Sequence, residues 1–316
     1  MADKIAIVGC GLVGRAWAIV FARAGHAVAL HDPVAGALDN ALALIEATLP
    51  ELERNDLLRG STAAEVREHL AAVGDLEAAL AEAVHVQESA PENPEVKRAL
   101  WAELDRLAPS AAVIASSTSA IPASAFTESL GHRGRCLVAH PINPPHLVPL
   151  VELVPAPWTD ADVVARTRAL MAAVGQAPIT LNREIDGFVA NRMQVALMQE
   201  AYRLVEEGIC GVGDVDTAIA EGIGLRWSFI GPFEVGDLNA PDGIADYCRR
   251  FSDMFYEIAR TQTEARRQSP ETIAEFERQR RALLAADQLG ERSRWRDRRL
   301  MELAVWKTKV ARGDLE

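Results

Sequence analysis

The stretch Ile5–Gly14, with the sequence IAIVGCGLVG, decides the fold of this 316-residue chain. A short apolar run predicts a buried strand, three glycines predict a tight turn, and the apolar pattern of residues 12–24 predicts a helix. The first glycine permits the turn, the second lets the backbone approach a phosphate, and the third lets the helix pack on the strand. A G-x-G-x-x-G string alone is a weak signal, but here it stands between a predicted strand and helix. The stretch therefore predicts a dinucleotide-binding unit.

An acid at the end of the next predicted strand indicates which dinucleotide binds. Asp32 follows Gly14 by 18 residues, a spacing typical of the acid that holds the adenosine ribose. A carboxylate there accepts hydrogen bonds from both ribose hydroxyls of NAD and repels the 2′-phosphate of NADP. No basic residue follows Asp32 before Arg54. The sequence therefore predicts NAD as the cofactor.

Short apolar runs alternate with longer helical patterns through the first half of the chain. This alternation predicts an α/β fold with a Rossmann-type doubly wound parallel sheet. Beyond residue 182 nearly every pattern is helical, so we expect a sheet domain over 1–183 and an all-helical domain over 184–316. The predicted strands are Ile5–Val8, Val28–Leu30, Val84–Gln87, Val113–Ala115, Cys136–Ala139, Leu150–Val154 and Pro178–Leu181. The main predicted helices are Leu12–Ala24, Ala35–Asn55, Asn93–Leu107, Ala123–Leu130, Ala161–Val174 and Phe188–Glu207.

Composition argues against several classes of protein. Lys and Arg number 33 against 45 for Asp and Glu, and the formal charge of −12 disfavours a nucleic-acid binder. A local basic excess over 278–316 is either a solvated helix or a partner surface. No apolar run is long enough to span a bilayer, and four separated cysteines indicate neither disulfides nor a metal site. We therefore expect a soluble cytoplasmic protein.

Polar side chains follow two of the predicted strands, at the edge where a parallel sheet binds its ligand. The string Ser116–Ser119 (SSTS) follows one strand, and His140–Pro145 (HPINPP) follows another. Glu152 lies 12 residues after His140 in an apolar strand, where an unpaired charge would be costly. An imidazole is its natural partner. From these residues alone, His140 is either a catalytic base or a structural histidine.

The whole chain resembles the 3-hydroxyacyl-CoA dehydrogenase superfamily, and within it the branch of lambda-crystallin and L-gulonate 3-dehydrogenase. The resemblance rests on the glycine loop, on the spacing of His140 and Glu152, and on motifs in both halves of the chain. It implies NAD-dependent oxidation of a 3-hydroxyl group, and a homodimer formed through the helical domain. The further motifs are Glu92–Lys97 (ENPEVK), Ser116–Ser119 (SSTS), Asp186–Arg192 (DGFVANR) and Gly231–Glu234 (GPFE).

The resemblance also implies roles for individual side chains. His140 would be the general base, and Glu152 would fix its tautomer and stabilise the imidazolium. Ser119 would bond the reacting oxygen and Asn191 would hold the substrate, although a helix cap and a domain-interface amide are alternatives for these two residues. Lys97 could equally be a solvated helix residue. The residues expected to bind NAD are Gly9, Gly11, Leu12, Val13, Gly14, Asp32, Glu92, Lys97 and Asn143.

Two segments depart from the pattern of the acyl-CoA enzymes. Those enzymes carry two aromatic residues after the active histidine, where this chain has Pro141 and Ile142. They carry an apolar stretch before the Gly-Pro-Phe-Glu motif, where this chain has Arg226. A guanidinium beside a substrate cleft suits a free carboxylate better than a thioester. We therefore expect a small free 3-hydroxy acid such as L-gulonate, the alternatives being a short 3-hydroxyacyl-CoA or a crystallin-like protein that binds NAD without turnover. For Arg226 itself, the alternative is a salt bridge to Glu221 or Glu234.

Overall fold

An eight-stranded sheet forms the centre of the first part of the chain in the computed structural model, which describes residues 3–314. The strands are β1 (Lys4–Val8), β2 (Ala27–His31), β3 (Leu70–Ala72), β4 (Ala83–Glu88), β5 (Val113–Ser116), β6 (Cys136–Pro141), β7 (Leu150–Pro155) and β8 (Ala177–Thr180). Their order is β3-β2-β1-β4-β5-β6-β7-β8, and neighbours are parallel except for the antiparallel pair β6 and β7. The predicted Rossmann-type sheet is confirmed. All seven predicted strands are present, and the short edge strand β3 is an addition.

Helices pack on both faces of this sheet. Alternate residues of β1 enter different apolar clusters, because Ile5 and Ile7 pack in the cluster around Trp17 whereas Ala6 and Val8 pack around Trp101. The sheet is therefore buried on both sides, which explains its continuous apolar strands. The helices of this part are α1 (Leu12–Ala22), α2 (Ala37–Arg54), α3 (Ala63–Glu68), α4 (Leu76–Leu80), α5 (Pro94–Leu107), α6 (Ser124–Thr127) and α7 (Ala161–Ala173).

The rest of the described chain is helical. Its helices are α8 (Ala190–Glu206), α9 (Val212–Ala218), α10 (Gly224–Trp227), α11 (Pro232–Leu238), α12 (Gly243–Arg260), α13 (Pro270–Leu283) and α14 (Leu289–Arg312). Buried Arg203 of α8 donates hydrogen bonds to the backbone carbonyls of Thr261, Gln262 and Glu264 just after α12. The predicted all-helical character of this half is confirmed. Within residues 3–314, no helix combines the length and the apolar character needed to cross a membrane.

The division into compact units differs from the predicted boundary. One unit runs up to Arg192 and resumes at Arg294, and the other is Met193–Ser293. The segment from Arg294 belongs to the sheet unit because Met301 of α14 is buried in the apolar cluster of that unit. Nδ2 of Asn55 also approaches the sulfur of Met301. The domain assignment of 1–183 and 184–316 remains a prediction, but the last helix contributes to the packing of the first unit.

Candidate active site

The glycine loop has the shape that a dinucleotide requires. Gly9 has a φ of +93°, and a Cβ atom on it would lie 2.7 Å from the carbonyl group of Ser89. A Cβ atom on Gly14 would lie 1.8 Å from the carbonyl oxygen of Gly9, so close packing here demands glycine. A Cβ atom on Gly11 would meet open space, and α1 begins at Leu12 without a side-chain cap. The first amide groups of α1 are therefore left for an anion, as a diphosphate requires.

Asp32 lies directly after β2, beside this loop. Its Oδ2 atom accepts a hydrogen bond of 2.8 Å from the amide of Cys10, and its Oδ1 atom accepts one of 2.9 Å from Val34. Each oxygen keeps a further lone pair, and the side chain is half-buried. The carboxylate is thus held in place and can still accept the two hydroxyls of a ribose. Burial, and then the charge of Asp32, raise the pKa of the Cys10 thiol to about 12, so this cysteine stays protonated.

His140 and Glu152 face each other across the antiparallel pair of β6 and β7. Nδ1 of His140 lies 2.7 Å from Oε2 of Glu152, and the two residues are only 4% and 0% exposed. The Oε1 atom of Glu152 accepts hydrogen bonds from the amides of Val189 (2.8 Å) and Ala190 (3.0 Å), at the start of α8. Burial raises the pKa of Glu152, but the bonds from His140, Ala190 and Val189 outweigh it and lower the pKa overall.

The charged carboxylate determines the tautomer of His140. An ionised Glu152 can only accept, so Nδ1 must carry the hydrogen, and Nε2 of the neutral ring is then an acceptor. Phe188 packs against this ring, with 5.5 Å between the ring centroids, and is completely buried. Phe188 has a φ of +50°, an uncommon conformation for a bulky residue, directly after Gly187 with a φ of +73°. Sequence reasoning did not single out Phe188, although it lies in the recognised motif 186–192.

A tight turn carries Ser119. The Oε1 atom of Glu92 accepts hydrogen bonds from the hydroxyl of Thr118 and from the amides of Ser119 (3.1 Å) and Ala120 (3.2 Å). Nδ2 of Asn191 donates a bond of 2.7 Å to the carbonyl oxygen of Ser119. The structure therefore brings Glu92, Ser119 and Asn191 together, and the bonds that Glu92 accepts hold the turn in place.

The two alternatives for Ser119 and Asn191 have different outcomes. The nearest helix, α6, begins at Ser124 with Ala123 as its N-cap, so Ser119 is not a helix cap. Its side chain is exposed. Asn191 bonds within the sheet unit, to the Ser119 turn, and its alternative of a domain-interface amide stays a prediction.

Lys97 is completely buried, so the alternative of a solvated helix residue is wrong. Its Nζ atom lies 2.9 and 3.0 Å from the two carboxylate oxygens of Glu88, at the end of β4, and 3.3 Å from Oγ of Ser116. The expected place of Lys97 near the nicotinamide half of the cofactor stays a prediction, and its ammonium group forms an internal ion pair with Glu88. Within residues 3–314, all the bonds of the ammonium group are made to Glu88 and Ser116.

Glu88 is a residue that sequence reasoning missed. Besides Lys97, its carboxylate accepts hydrogen bonds from the hydroxyl of Ser116 (2.6 Å), the indole of Trp101 (3.1 Å) and the amide of Ala90 (2.7 Å). The signal was available, because an acid at the end of an apolar strand requires a partner, which was the reasoning applied to Glu152.

Asn143 and Arg226 complete the predicted set. Asn143 is exposed in the loop after β6, which is anchored by a bond of 3.0 Å from Gln176 to the carbonyl of Pro145. Arg226 is exposed on α10 in the second unit. Among the residues described, Arg226 forms no ion pair, so the alternative of a salt bridge to Glu221 or Glu234 is not realised.

Comparison with known proteins covers both halves of the chain. Residues 4–185 match the family model described as 3-hydroxyacyl-CoA dehydrogenase, NAD binding domain, and residues 187–279 match the model of the C-terminal domain. A lambda-crystallin homolog of Bos taurus is 44% identical over 309 residues, which cover 96% of this chain and 95% of that protein. An L-carnitine dehydrogenase of Streptomyces griseus is 41% identical over 229 residues, which cover 72% and 67%.

A solved structure shares the fold of the whole chain. The structure of 5-formyl-3-hydroxy-2-methylpyridine 4-carboxylic acid 5-dehydrogenase superposes with a TM-score of 0.83, covers 99% of each chain and is 24% identical in sequence. At that identity the likeness concerns the fold alone. Together with the matched NAD-binding model, the fit of the glycine loop confirms the prediction that NAD is the cofactor.

Proposed function

Because this chain belongs to the 3-hydroxyacyl-CoA dehydrogenase family, we propose that it oxidises the 3-hydroxyl group of a small free hydroxy acid, such as L-gulonate, to the 3-keto acid. The chain is an NAD-dependent oxidoreductase that acts on CH–OH groups. When bound, NAD accepts the hydride that leaves the substrate carbon. The observation that carries the proposal is the buried pair of His140 and Glu152, with 2.7 Å between Nδ1 and Oε2.

His140 is the general base of the proposed reaction. Its Nε2 atom accepts the proton of the substrate hydroxyl, and the adjacent carboxylate of Glu152 stabilises the imidazolium that forms. The second oxygen of Glu152 is held by the amides of Val189 and Ala190, so the carboxylate cannot turn away from the ring. The donors and acceptors that support these proposed roles are already in place before substrate arrives.

Ser119 and Asn191 are the proposed substrate contacts. Ser119 presents an exposed hydroxyl on a turn whose backbone is fixed by Glu92, and this hydroxyl bonds the reacting oxygen. Asn191 uses its Nδ2 atom on the carbonyl of Ser119, which leaves its Oδ1 atom to accept from a substrate hydroxyl. Glu92 and Lys97 are proposed to lie near the nicotinamide half of the cofactor, where Glu92 holds the Ser119 turn and Lys97 pairs with Glu88.

The remaining cofactor contacts are proposed from the glycine loop and from Asp32. The amides of Leu12 and Val13 bind the diphosphate at the start of α1. The carboxylate of Asp32 accepts the ribose hydroxyls, and Asn143 bonds the carboxamide. Gly9, Gly11 and Gly14 provide the backbone shape that permits this approach.

A free acid is favoured over a coenzyme A thioester. Arg226 is exposed and unpaired among the described residues, and we assign it to the carboxylate of the substrate. The similarity to L-carnitine dehydrogenase points the same way, because carnitine is a free 3-hydroxy acid. The proposal is tested by the rates of NAD reduction with L-gulonate, 3-hydroxybutyrate, L-carnitine and 3-hydroxybutyryl-CoA. Preference for the thioester would contradict it, and NAD binding without turnover on any of these compounds would indicate a non-catalytic protein.

The substitution Arg226→Met tests the carboxylate contact directly. A guanidinium–carboxylate pair contributes about 1.5–3 kcal/mol, so kcat/KM on the free acid should fall by about 10- to 100-fold. The lactone or ester of the same acid should be oxidised at the parental rate. The control is Arg249→Met, an exposed arginine on α12 of the same unit. Equal losses on charged and uncharged substrates would contradict the assignment.

We also propose that the chain forms a homodimer through its helical unit. Large apolar side chains of α12 are exposed, among them Met254, Phe255 and Ile258, and a second copy would cover such a surface. Sedimentation analysis of the purified chain checks this: a monomer at micromolar concentration would contradict it.

A further inference from the structure

A serine that the proposed mechanism does not use lies directly after β4. The strand order of the sheet reverses between β1 and β4, and α/β sheets of this kind bind their ligand in the crevice at that point. The backbone of Ser89 packs against the glycine loop, since a Cβ atom on Gly9 would lie 2.7 Å from its carbonyl group. Ser89 is half-buried and therefore borders the crevice.

The hydrogen bonds of Ser117 determine which way the hydroxyl of Ser89 points. Oγ of Ser117 accepts a bond of 3.1 Å from the indole of Trp17 and one of 2.8 Å from the amide of Gln87. A hydroxyl oxygen has two lone pairs, so both are occupied and Ser117 must donate its own hydrogen. Its partner is Oγ of Ser89, at 2.9 Å. Ser117 is therefore the donor of this pair and Ser89 the acceptor.

The donors to Ser117 cannot easily change roles. Gln87 is completely buried, and its Nε2 atom also donates a bond of 3.2 Å to the carbonyl of Ala139, next to His140. A flipped amide would place its oxygen against that carbonyl oxygen, and two acceptors would then face each other. The indole of Trp17 is a donor only. The hydrogen of the Ser89 hydroxyl is thus turned away from Ser117, and it meets no acceptor among residues 3–314.

We propose that Ser89 is a cofactor-binding residue, whose oriented hydroxyl donates a hydrogen bond to an oxygen of the NAD diphosphate or of the ribose next to the nicotinamide. The inference rests on the cofactor site of the proposed function. Asp32 supplies acceptors for the adenosine half at the end of β2, and Ser89 supplies a donor at the end of β4. The donor is oriented before the cofactor arrives, so little conformational freedom is lost on binding.

Titration calorimetry of the purified protein with NAD, ADP-ribose, ADP and AMP tests the inference without turnover. In Ser89→Ala, the dissociation constants of NAD and ADP-ribose should rise by about 3- to 10-fold, the effect of one hydrogen bond, and that of AMP should not change. Weaker binding of ADP as well would assign the bond to the diphosphate, and unchanged binding of ADP would assign it to the ribose. Parental affinity for NAD, or an equal loss on AMP, would overturn the inference.

Three further variants keep the result interpretable. Ser124→Ala removes a half-buried serine outside the network and should bind every ligand like the parent. Ser117→Ala leaves the buried donors of Trp17 and Gln87 unpaired and should lower the melting temperature, whereas Ser89→Ala should not. Asp32→Ala should weaken AMP and NAD together. If it does and Ser89→Ala binds like the parent, the inference fails while the cofactor site stands, and if the parent itself fails to bind NAD, both fail.

Discussion

Two glutamates of this chain are equally buried but have partners with different chemistry. Glu88 and Glu152 are both 0% exposed, and each lies beside a nitrogen base in the sheet unit. Glu88 pairs with Lys97 at the end of β4, whereas Glu152 pairs with His140 across β6 and β7. The difference lies in what the partner can do with its proton.

The site around Glu88 is closed. Its carboxylate accepts from Lys97, Ser116, Trp101 and the amide of Ala90, which occupies both oxygens. Nζ of Lys97 bonds both oxygens of Glu88 and the hydroxyl of Ser116, and the indole of Trp101 can only donate, so the cluster offers a substrate no nitrogen that accepts a proton. Such a cluster fixes the loops around it and takes no part in proton transfer.

The site around Glu152 keeps one position open. Its partner His140 uses Nδ1 on the carboxylate and retains Nε2, which can accept a proton from a substrate. The carboxylate meanwhile joins β7 to the first amides of α8. A buried acid thus supports proton transfer when its partner is a histidine with a second nitrogen available, and burial alone does not distinguish the two acids.

The largest expected effect is that of removing the His140 ring, whose Nε2 atom is the proposed proton acceptor. His140→Ala should lower kcat/KM by about 10²- to 10⁴-fold with NAD binding retained, because the substrate hydroxyl loses its proton acceptor. His132→Ala is a matched control, because His132 also faces an acid, Asp105 at 3.4 Å, but its side chain is 64% exposed. Glu152→Gln should also be impaired. Near-parental turnover by the His140 variant would refute the proposed mechanism.

Breaking the closed pair should affect stability next most strongly. Lys97→Met leaves the Glu88 carboxylate buried without its cation, a change that costs about 3–5 kcal/mol in the free energy of unfolding. Denaturant titration of Lys97→Met, Glu88→Gln and the double variant measures this, and the double variant should lose less than the sum of the single ones. The control is Asp162→Asn, whose ion pair with Arg166 is largely exposed and contributes at most about 1 kcal/mol. A loss that small for Lys97→Met would mean that the pair does not stabilise the fold.

This contrast also explains what the sequence could predict. The glycine loop, Asp32 and the pairing of His140 with Glu152 all follow from spacing, because strand ends and turn glycines leave local signals. The pair of Glu88 and Lys97 escaped prediction, since a lysine on the first turns of α5 looks like a surface residue until the sheet packs over it. Its burial depends on the packing of α5, through Trp101, into an apolar cluster that includes Val86 and Ile114 of the sheet, and no short pattern encodes that.

Elements that depend on distant packing were also the ones missed. The edge strand β3 has the sequence LAA, which carries no β-branched residue, and it pairs only because β2 lies beside it. The burial of Met301 in the sheet unit depends on a contact with residues more than 240 positions away, near Asn55. In the candidate site both Ser119 and Asn191 were predicted, but the bond between them, across 72 positions, was not, because it depends on the same kind of distant packing.

A third buried base extends the comparison to pH. His85 is 1% exposed, has no acid beside it, and its Nε2 atom lies 3.1 Å from the amide oxygen of Gln87. Burial lowers the pKa of His85 to about 4, so the unfolded chain binds a proton more readily from about pH 6.5 downward. The free energy of unfolding should therefore decrease as the pH falls from about 6.5 to about 4, by up to about 3 kcal/mol. His85→Gln should flatten this part of the curve of unfolding free energy against pH, and His132→Ala should not; an unchanged slope in His85→Gln would contradict the assignment.

The smallest expected effect concerns Asp32, an acid with a half-occupied carboxylate. Each oxygen accepts one backbone amide and keeps a lone pair for the ribose, so Asp32 is intermediate between the closed Glu88 and the open Glu152. Asp32→Ala should weaken NAD by about 10-fold or somewhat more, the contribution of hydrogen bonds to a charged group, and should reduce the discrimination against NADP. Calorimetry with both dinucleotides measures the two effects. Asp39→Ala, an acid in the first turn of α2, is the control. Unchanged affinity for NAD in Asp32→Ala would show that the amides of the glycine loop hold the adenosine half without help from the carboxylate.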